Sequence, residues 1–264
     1  MRRFFSVLIF ATFIWGAGAR ADDIAFFYAL EADFTALKKE AAVLGEPVKI
    51  GARAVQRLRL GAQTVYAVKM GSGAVETAVS AEAVLARFRC DRAFSLGPVG
   101  ALGEVLKPSD WLRVSAMVPY QKGAWTSGGF QPAEKARVTL GGEPLAGLVL
   151  PELWQKVPEM AVASGEVFIA SASYRAELHA ATRAEAVDMN LFGLVTACAN
   201  HQVPLVCWRI VSDRADETAS EDFRAFAERY DGTGGRVLAE FIKALPANPN
   251  APESYDKLRE LLGK

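Results

Sequence analysis

The chain carries only two histidines and three cysteines in 264 residues, and none falls at the short, paired spacings that hold a metal ion. That scarcity argues against a catalytic zinc. His179 and His201 both lie in helical patterns with no nucleophile elbow, so a Ser-His-Asp hydrolase is disfavoured as well. Cys90, Cys198 and Cys207 read as small core residues, with a Cys198–Cys207 disulfide as the alternative.

A charge surplus is missing too. Thirty Lys and Arg offset thirty Asp and Glu, which leaves neither the basic excess of a nucleic-acid surface nor an acidic tail. A small-molecule ligand is therefore the expected partner, and no nucleic acid. Gly71-Ser72-Gly73 lacks the full dinucleotide fingerprint and the phosphate-loop lysine, so no cofactor is expected. There is no internal repeat and no second domain boundary.

What is present begins with Met1-Arg2-Arg3 and an apolar run to Trp15, too short to span a bilayer comfortably, followed by small residues and Ala19-Arg20-Ala21. Residues 1–21 are expected to be a secretory signal cut after Ala21, with an uncleaved anchor as the rival reading. The mature chain would then begin at Asp22 in a periplasm or outside the cell, with no stable membrane span.

Beyond it, apolar runs of strand length alternate with helical spacing. Strands are predicted at Ile24–Leu30, Val55–Leu60, Thr64–Met70, Arg92–Leu96, Trp111–Val118, Val162–Ile169, Ala186–Met189 and Leu205–Val211. Gly97-Pro98-Val99-Gly100-Ala101 reads as a glycine-rich turn, and Tyr120–Leu148 shows no clear period. Helices are predicted over Glu31–Leu44, from Val75 through Leu85, and over Ser173–Thr182, Leu191–His201 and Glu221–Ala244, the last kinked or broken at Gly232-Thr233-Gly234-Gly235. This alternation predicts one domain over residues 22–245: a three-layer α/β/α sandwich around a central mixed sheet. Residues 246–264 read as a linker and a short terminal helix.

Two strand ends carry poised polar groups. Val206-Cys207-Trp208-Arg209-Ile210-Val211-Ser212-Asp213 delivers an acid at the carboxyl end of a buried strand, where open α/β sheets bind ligands. Val187-Asp188-Met189-Asn190 does the same just before a helix.

In order and spacing, several segments resemble the nucleoside phosphorylase and nucleosidase superfamily, most closely the 5'-methylthioadenosine/S-adenosylhomocysteine nucleosidases. They are Ala29-Leu30-Glu31-Ala32-Asp33, Lys69-Met70-Gly71-Ser72-Gly73, Gly97-Pro98-Val99-Gly100-Ala101-Leu102, Ala163–Ile169, Val187–Asn190 and Arg209–Asp213. The resemblance implies cleavage of a purine N-glycosidic bond. Asp213 would be the general acid, and Ser212 would orient its carboxyl. Phe168 would stack on the base, the backbone of Ile169 would read its edge, and Met189 would lie against the sugar.

The resemblance also implies a water-activating acid at Asp33, with Glu31 as the alternative, and backbone approach to substrate at Gly71 and Gly97. Both acids also suit the positive end of a helix dipole. Asn190 stands where the family carries a sugar-gripping glutamate, so ribosyl chemistry is expected to be slower or the sugar different. The family implies a homodimer. Lys69 with no arginine beside Gly71–Gly73 favours water over phosphate as nucleophile. A nucleoside phosphorylase and an exported nucleoside-binding protein with little or no catalysis are the alternatives.

Overall fold

The computed structural model describes residues 21–127, 129–133, 137–140, 145 and 147–246. The expected signal (1–20) and nearly all of the expected linker and terminal helix (247–264) lie outside the described residues.

The first half comprises β1 (Asp23–Tyr28), α1 (Glu31–Lys39), β2 (Ala42–Val43), β3 (Val48–Ile50), β4 (Arg53–Leu60), β5 (Gln63–Lys69), α2 (Ala74–Leu85) and β6 (Arg92–Ala101). Then come β7 (Trp111–Pro119), β8 (Gly123–Thr126), β9 (Gly129–Pro132), β10 (Val138–Thr139), α3 (Glu152–Gln155) and β11 (Glu159–Ser164). The last third holds α4 (Ala172–Thr182), β12 (Ala186–Asp188), α5 (Leu191–Asn200), β13 (Leu205–Asp213), α6 (Ala219–Arg229) and α7 (Thr233–Ala244).

Period-two alternation sets the layers. In β1, Ile24, Phe26 and Tyr28 enter one apolar cluster with Leu37 of α1 and Leu238, Phe241 and Ile242 of α7. Ala25 and Phe27 enter the other, with Ala81 and Val84 of α2 and Leu191 and Leu194 of α5. A strand covered on both faces by helices has no polar side to show, which is why β1 reads as a continuous apolar run and β13 as one interrupted only by Arg209 before its polar end. On the α7 face, Trp154 stacks on Trp208 with ring centroids 3.9 Å apart, and Phe241 meets both edge-on. Each such pair adds about 1 kcal/mol beyond its buried area.

Strands β1, β5, β6 and β13 run parallel, so their carboxyl ends share one edge. Strand β13 pairs β6 on one side and β7 on the other, and β12 joins β11 to β6. That end of the mixed sheet therefore curls into a closed ring, with a third apolar cluster around Ile169, Leu178 and Val187. The helices cross closely. A Cβ on Gly235 of α7 would collide with the Asp33 carbonyl, and one on Gly193 of α5 with that of Ala74.

The structure corrects two expectations. Gly97–Ala101 is no turn; it continues β6, with Gly97 opposite Arg209 and Gly100 opposite Asp213. Glycine serves there because its neighbours fill the side-chain space: a Cβ on Gly100 would stand 2.8 Å from Asp213 Oδ1. The strand predicted to Ile169 stops at Ser164, leaving Phe168 and Ile169 on the loop that follows. Two readings hold: the last helical stretch breaks at the glycine segment, with Tyr230–Gly232 between α6 and α7 and Gly232 at a left-handed φ of 76°, and Cys90, Cys198 and Cys207 are buried free thiols, without the alternative disulfide.

Candidate active site

At the carboxyl edge of the parallel strands lies a cleft of about 760 Å³. Asp213 reaches it from the last position of β13, a strand whose nine residues are all buried. Its Oδ2 accepts from Ser212 Oγ at 2.7 Å and its Oδ1 from the Ala215 amide at 2.9 Å. Loss of hydration raises the carboxyl's proton affinity above the ordinary aspartate value, and these two hydrogen bonds only partly oppose that. The carboxyl is 2% exposed and fixed in orientation by these two hydrogen bonds.

The other walls come from distant segments. Met189 and Asn190 follow β12; Gly71 and Ser72 precede α2; Pro98, Val99 and Gly100 end β6; and Val167, Phe168 and Ile169 form a loop. Glu166 clamps that loop, because its Oε1 accepts from the Val75 amide at the start of α2 while its own amide donates to Gln121. Tyr120 adds a hydroxyl that donates to the Val167 carbonyl at 2.6 Å. Phe168 is 40% exposed and meets Phe223 edge-on, so two aromatic faces border the cleft.

Asp188, itself part of the lining, forms a buried pair with Arg209 behind it, Nε to Oδ2 at 3.2 Å. Asp188 Oδ1 also accepts from the amides of Asn190 and Leu191, which ties the start of α5 to the ion pair. Asn190 spans the cleft and donates to the Gly71 carbonyl at 2.6 Å and to Thr77 Oγ1 at 2.7 Å.

Of the expected site residues, the cleft gathers Asp213, Ser212, Phe168, Ile169, Met189, Asn190 and Gly71. It does not gather three others. Asp33, expected as a water-activating base, is sealed between α1 and α7, where its Oδ1 accepts from Tyr230 Oη at 2.6 Å and the Gly235 amide at 3.0 Å. It is fully buried and does not line the cleft. Glu31 is exposed beside the cleft and pairs with the lining Lys69 at 3.0 Å. Gly97 lies under the floor, packed by Ala29, Met70 and Arg209.

Sequence reasoning missed the α6 wall, formed by Phe223, Arg224, Ala227 and Glu228. Spacing marked a helix there, yet only the break before α7 turns that face toward the cleft. Thr77, which anchors Asn190, carried no local signal. A second hollow of about 800 Å³ lies at the opposite sheet edge, where arginines 57, 87 and 89 mix with Asp23 and Asp91; no strand carboxyl ends converge there.

A curled mixed sheet between helical layers, with a small-molecule cleft where the parallel strands end, is the phosphorylase-type α/β architecture. The chain belongs to the Phosphorylase superfamily, whose family profile it matches over residues 23–243. It is 28% identical over 229 residues to 5'-methylthioadenosine/S-adenosylhomocysteine nucleosidase of Staphylococcus aureus strain MRSA252, covering 82% of this chain and 97% of the relative. The same enzyme of Staphylococcus saprophyticus is 27% identical over 195 residues, covering 71% and 85% respectively.

Among solved structures, Helicobacter pylori 5'-methylthioadenosine/S-adenosylhomocysteine nucleosidase, complexed with a pyrrolopyrimidine-bearing pyrrolidinol, shares the fold. Its TM-score is 0.74 at 21% identity over 86% of this chain and all of that one. Futalosine hydrolase of the same organism aligns with a TM-score of 0.70 at 21% identity over 85% and 97%.

Proposed function

We propose that the protein is a purine nucleosidase that hydrolyses the N-glycosidic bond of an adenosine-type nucleoside, with Asp213 protonating the departing base at N7. One observation carries this reading: a buried carboxyl at a strand tip, its proton affinity raised by lost hydration, shares a cleft with the aromatic pair Phe168 and Phe223. The names of the relatives agree with it. In this pose the base lies between the Phe168 loop and α6 with its N7 toward Asp213, and the sugar runs over Met189 toward Asn190.

Leaving-group protonation contributes about 10²- to 10⁴-fold on its own. It matters more here because Asp33 is sealed away. Bond breaking runs ahead of attack, and water captures a sugar that is already largely cationic. Of the α1 acids, Glu31 is the one placed beside the cleft to take the proton of that water.

Water is favoured over phosphate because protein carboxylates already occupy the nearby anion-binding groups. Lys69 is paired with Glu31, and the Val75 amide at the head of α2 donates to Glu166. A binding protein without catalysis is the second reading, supported by the neutral Asn190 and the buried Asp33.

We further place the mature protein outside the cytoplasm, as a homodimer. Val75 and Val79, exposed one turn apart on α2 near the exposed Val167 and Phe168, support a contact with a second copy.

Incubating the mature protein with adenosine, 5'-methylthioadenosine and inosine, and separating free base by chromatography, tests the reading. It expects base release at equal rates with and without phosphate. Ligand-dependent melting with no base released overturns it in favour of the binder.

A further inference from the structure

We infer that Asn190 makes the cleft selective for a purine nucleoside whose sugar offers one hydroxyl rather than a cis-diol, that is, the 2'-deoxyribosyl class. This rests on the nucleoside reading above and names the sugar that reading leaves open.

The argument begins with hydrogen counting. Gly71 O is a carbonyl and can only accept, so the Asn190 group 2.6 Å from it must be the NH₂. The alternative amide orientation would set two oxygens against each other. Thr77 Oγ1 donates its own hydrogen to Gly71 O at 3.2 Å, so it accepts from Asn190 at 2.7 Å. Both amide hydrogens are therefore spent inside the protein. The backbone N–H of Asn190 is spent as well, on Asp188 Oδ1 at 3.3 Å.

What remains for a ligand is Oδ1, one neutral acceptor to which nothing donates among the described residues. The neighbouring carboxylate of Asp188 has little left to offer, since three donors already occupy most of its lone-pair sites. Asp188 Oδ1 already accepts from the amides of Asn190 and Leu191, Oδ2 accepts from Arg209, and the residue is 6% exposed.

A ribosyl cis-diol brings two hydroxyl donors to this wall, and a 2'-deoxyribosyl ring brings one. One neutral oxygen has two lone pairs but a single position, so it meets the 2'- and 3'-hydroxyls less well than the two oxygens of a carboxylate would, and a hydroxyl left without a good partner weakens binding roughly ten- to a hundredfold. The chemistry points the same way. A 2'-deoxyribosyl cation forms more readily because no electron-withdrawing oxygen sits on C2, so it needs less from a wall that carries no negative charge.

Calorimetric titration of the slow variant Asp213→Asn with adenosine and 2'-deoxyadenosine separates recognition from bond cleavage. The expected result is a Kd for 2'-deoxyadenosine below that for adenosine. A Kd for adenosine equal to or below that for 2'-deoxyadenosine overturns the inference. In the same background, Asn190→Glu cannot donate to Gly71 O, so its carboxylate should turn into the cleft and shift the Kd ratio at least tenfold toward adenosine.

Should that variant not fold, Thr77→Val frees one amide hydrogen and should shift the ratio at least threefold in the same direction. An unchanged ratio in a folded variant counts against the inference. Binding of neither nucleoside overturns it together with the nucleoside reading. Binding of both, with no base released by the wild type, overturns only the enzymatic reading, and the Kd ratio still decides this one.

Discussion

Asp33 and Asp213 are both buried aspartates whose proton affinity rises because water has been removed from them, yet they stand at opposite ends of the chemistry. Asp213 ends a strand and opens on a cleft, with a serine hydroxyl and one amide holding its two oxygens. Asp33 sits in the first turn of a helix and is closed in by another. Its Oδ1 is bound by Tyr230 and Gly235, and its Oδ2 is buried with no hydrogen-bond partner. A raised pKa is therefore shared by an aspartate that lines the cleft and one that does not. Access to a cleft is what separates the two, and each can be perturbed without the other.

The largest expected effect is on Asp213. Asp213→Asn keeps the shape but removes the transferable proton, and should slow purine release about 10²- to 10⁴-fold in a chromatographic assay while melting stays near that of the wild type.

Next come the two glycines that guard the pair. Gly235→Ala forces a side chain into the Asp33 backbone where α1 crosses α7, and should destabilise by about 3 kcal/mol in urea titration. Gly100→Ala places a methyl 2.8 Å from Asp213 Oδ1. It should cost about 10²-fold in kcat by displacing the acid, with a smaller loss of stability. Equal stability losses in the two variants would erase the proposed contrast.

The smallest effect on turnover is on Asp33 itself, whose pKa rises from 3.8 to about 6 on burial. A carboxyl with a raised folded-state pKa favours the fold below its unfolded value, and that contribution is lost as pH rises through about 6. Asp33→Asn should therefore be more stable than the wild type at pH 8, by up to about 3 kcal/mol, and lose that advantage near pH 4. Its turnover should stay within about threefold of the wild type. A loss of about 10²-fold or more would restore Asp33 as the base.

The layers and the acid of β13 were legible because they depend on local pattern: an apolar run at Ile24–Tyr28 and one at Leu205–Val211 interrupted only by Arg209, each read by period and length. What was not legible depends on partners remote in the chain. Gly97–Ala101 has the composition of a turn and is a strand because it pairs with Arg209–Asp213 of β13, more than a hundred residues away, while Ala29 and Asp213 take the space that side chains at Gly97 and Gly100 would need. Asp33 looks like any first-turn acid, and its orientation is set by Tyr230 and Gly235, which lie 197 and 202 residues onward. Asn190 was visible as a neutral residue at a sugar-facing position. That its hydrogens are already committed to Gly71 and Thr77 appears only in the folded chain.

Leaving-group dependence tests the central claim most directly. A p-nitrophenyl glycoside departs as a stable phenolate and needs no proton, whereas a purine nucleoside does. With the wild type and Asp213→Asn compared on both, the account predicts a loss of about 10²-fold or more on the purine nucleoside and no more than about threefold on the p-nitrophenyl glycoside. Equal losses on the two substrates would contradict Asp213 as the proton donor.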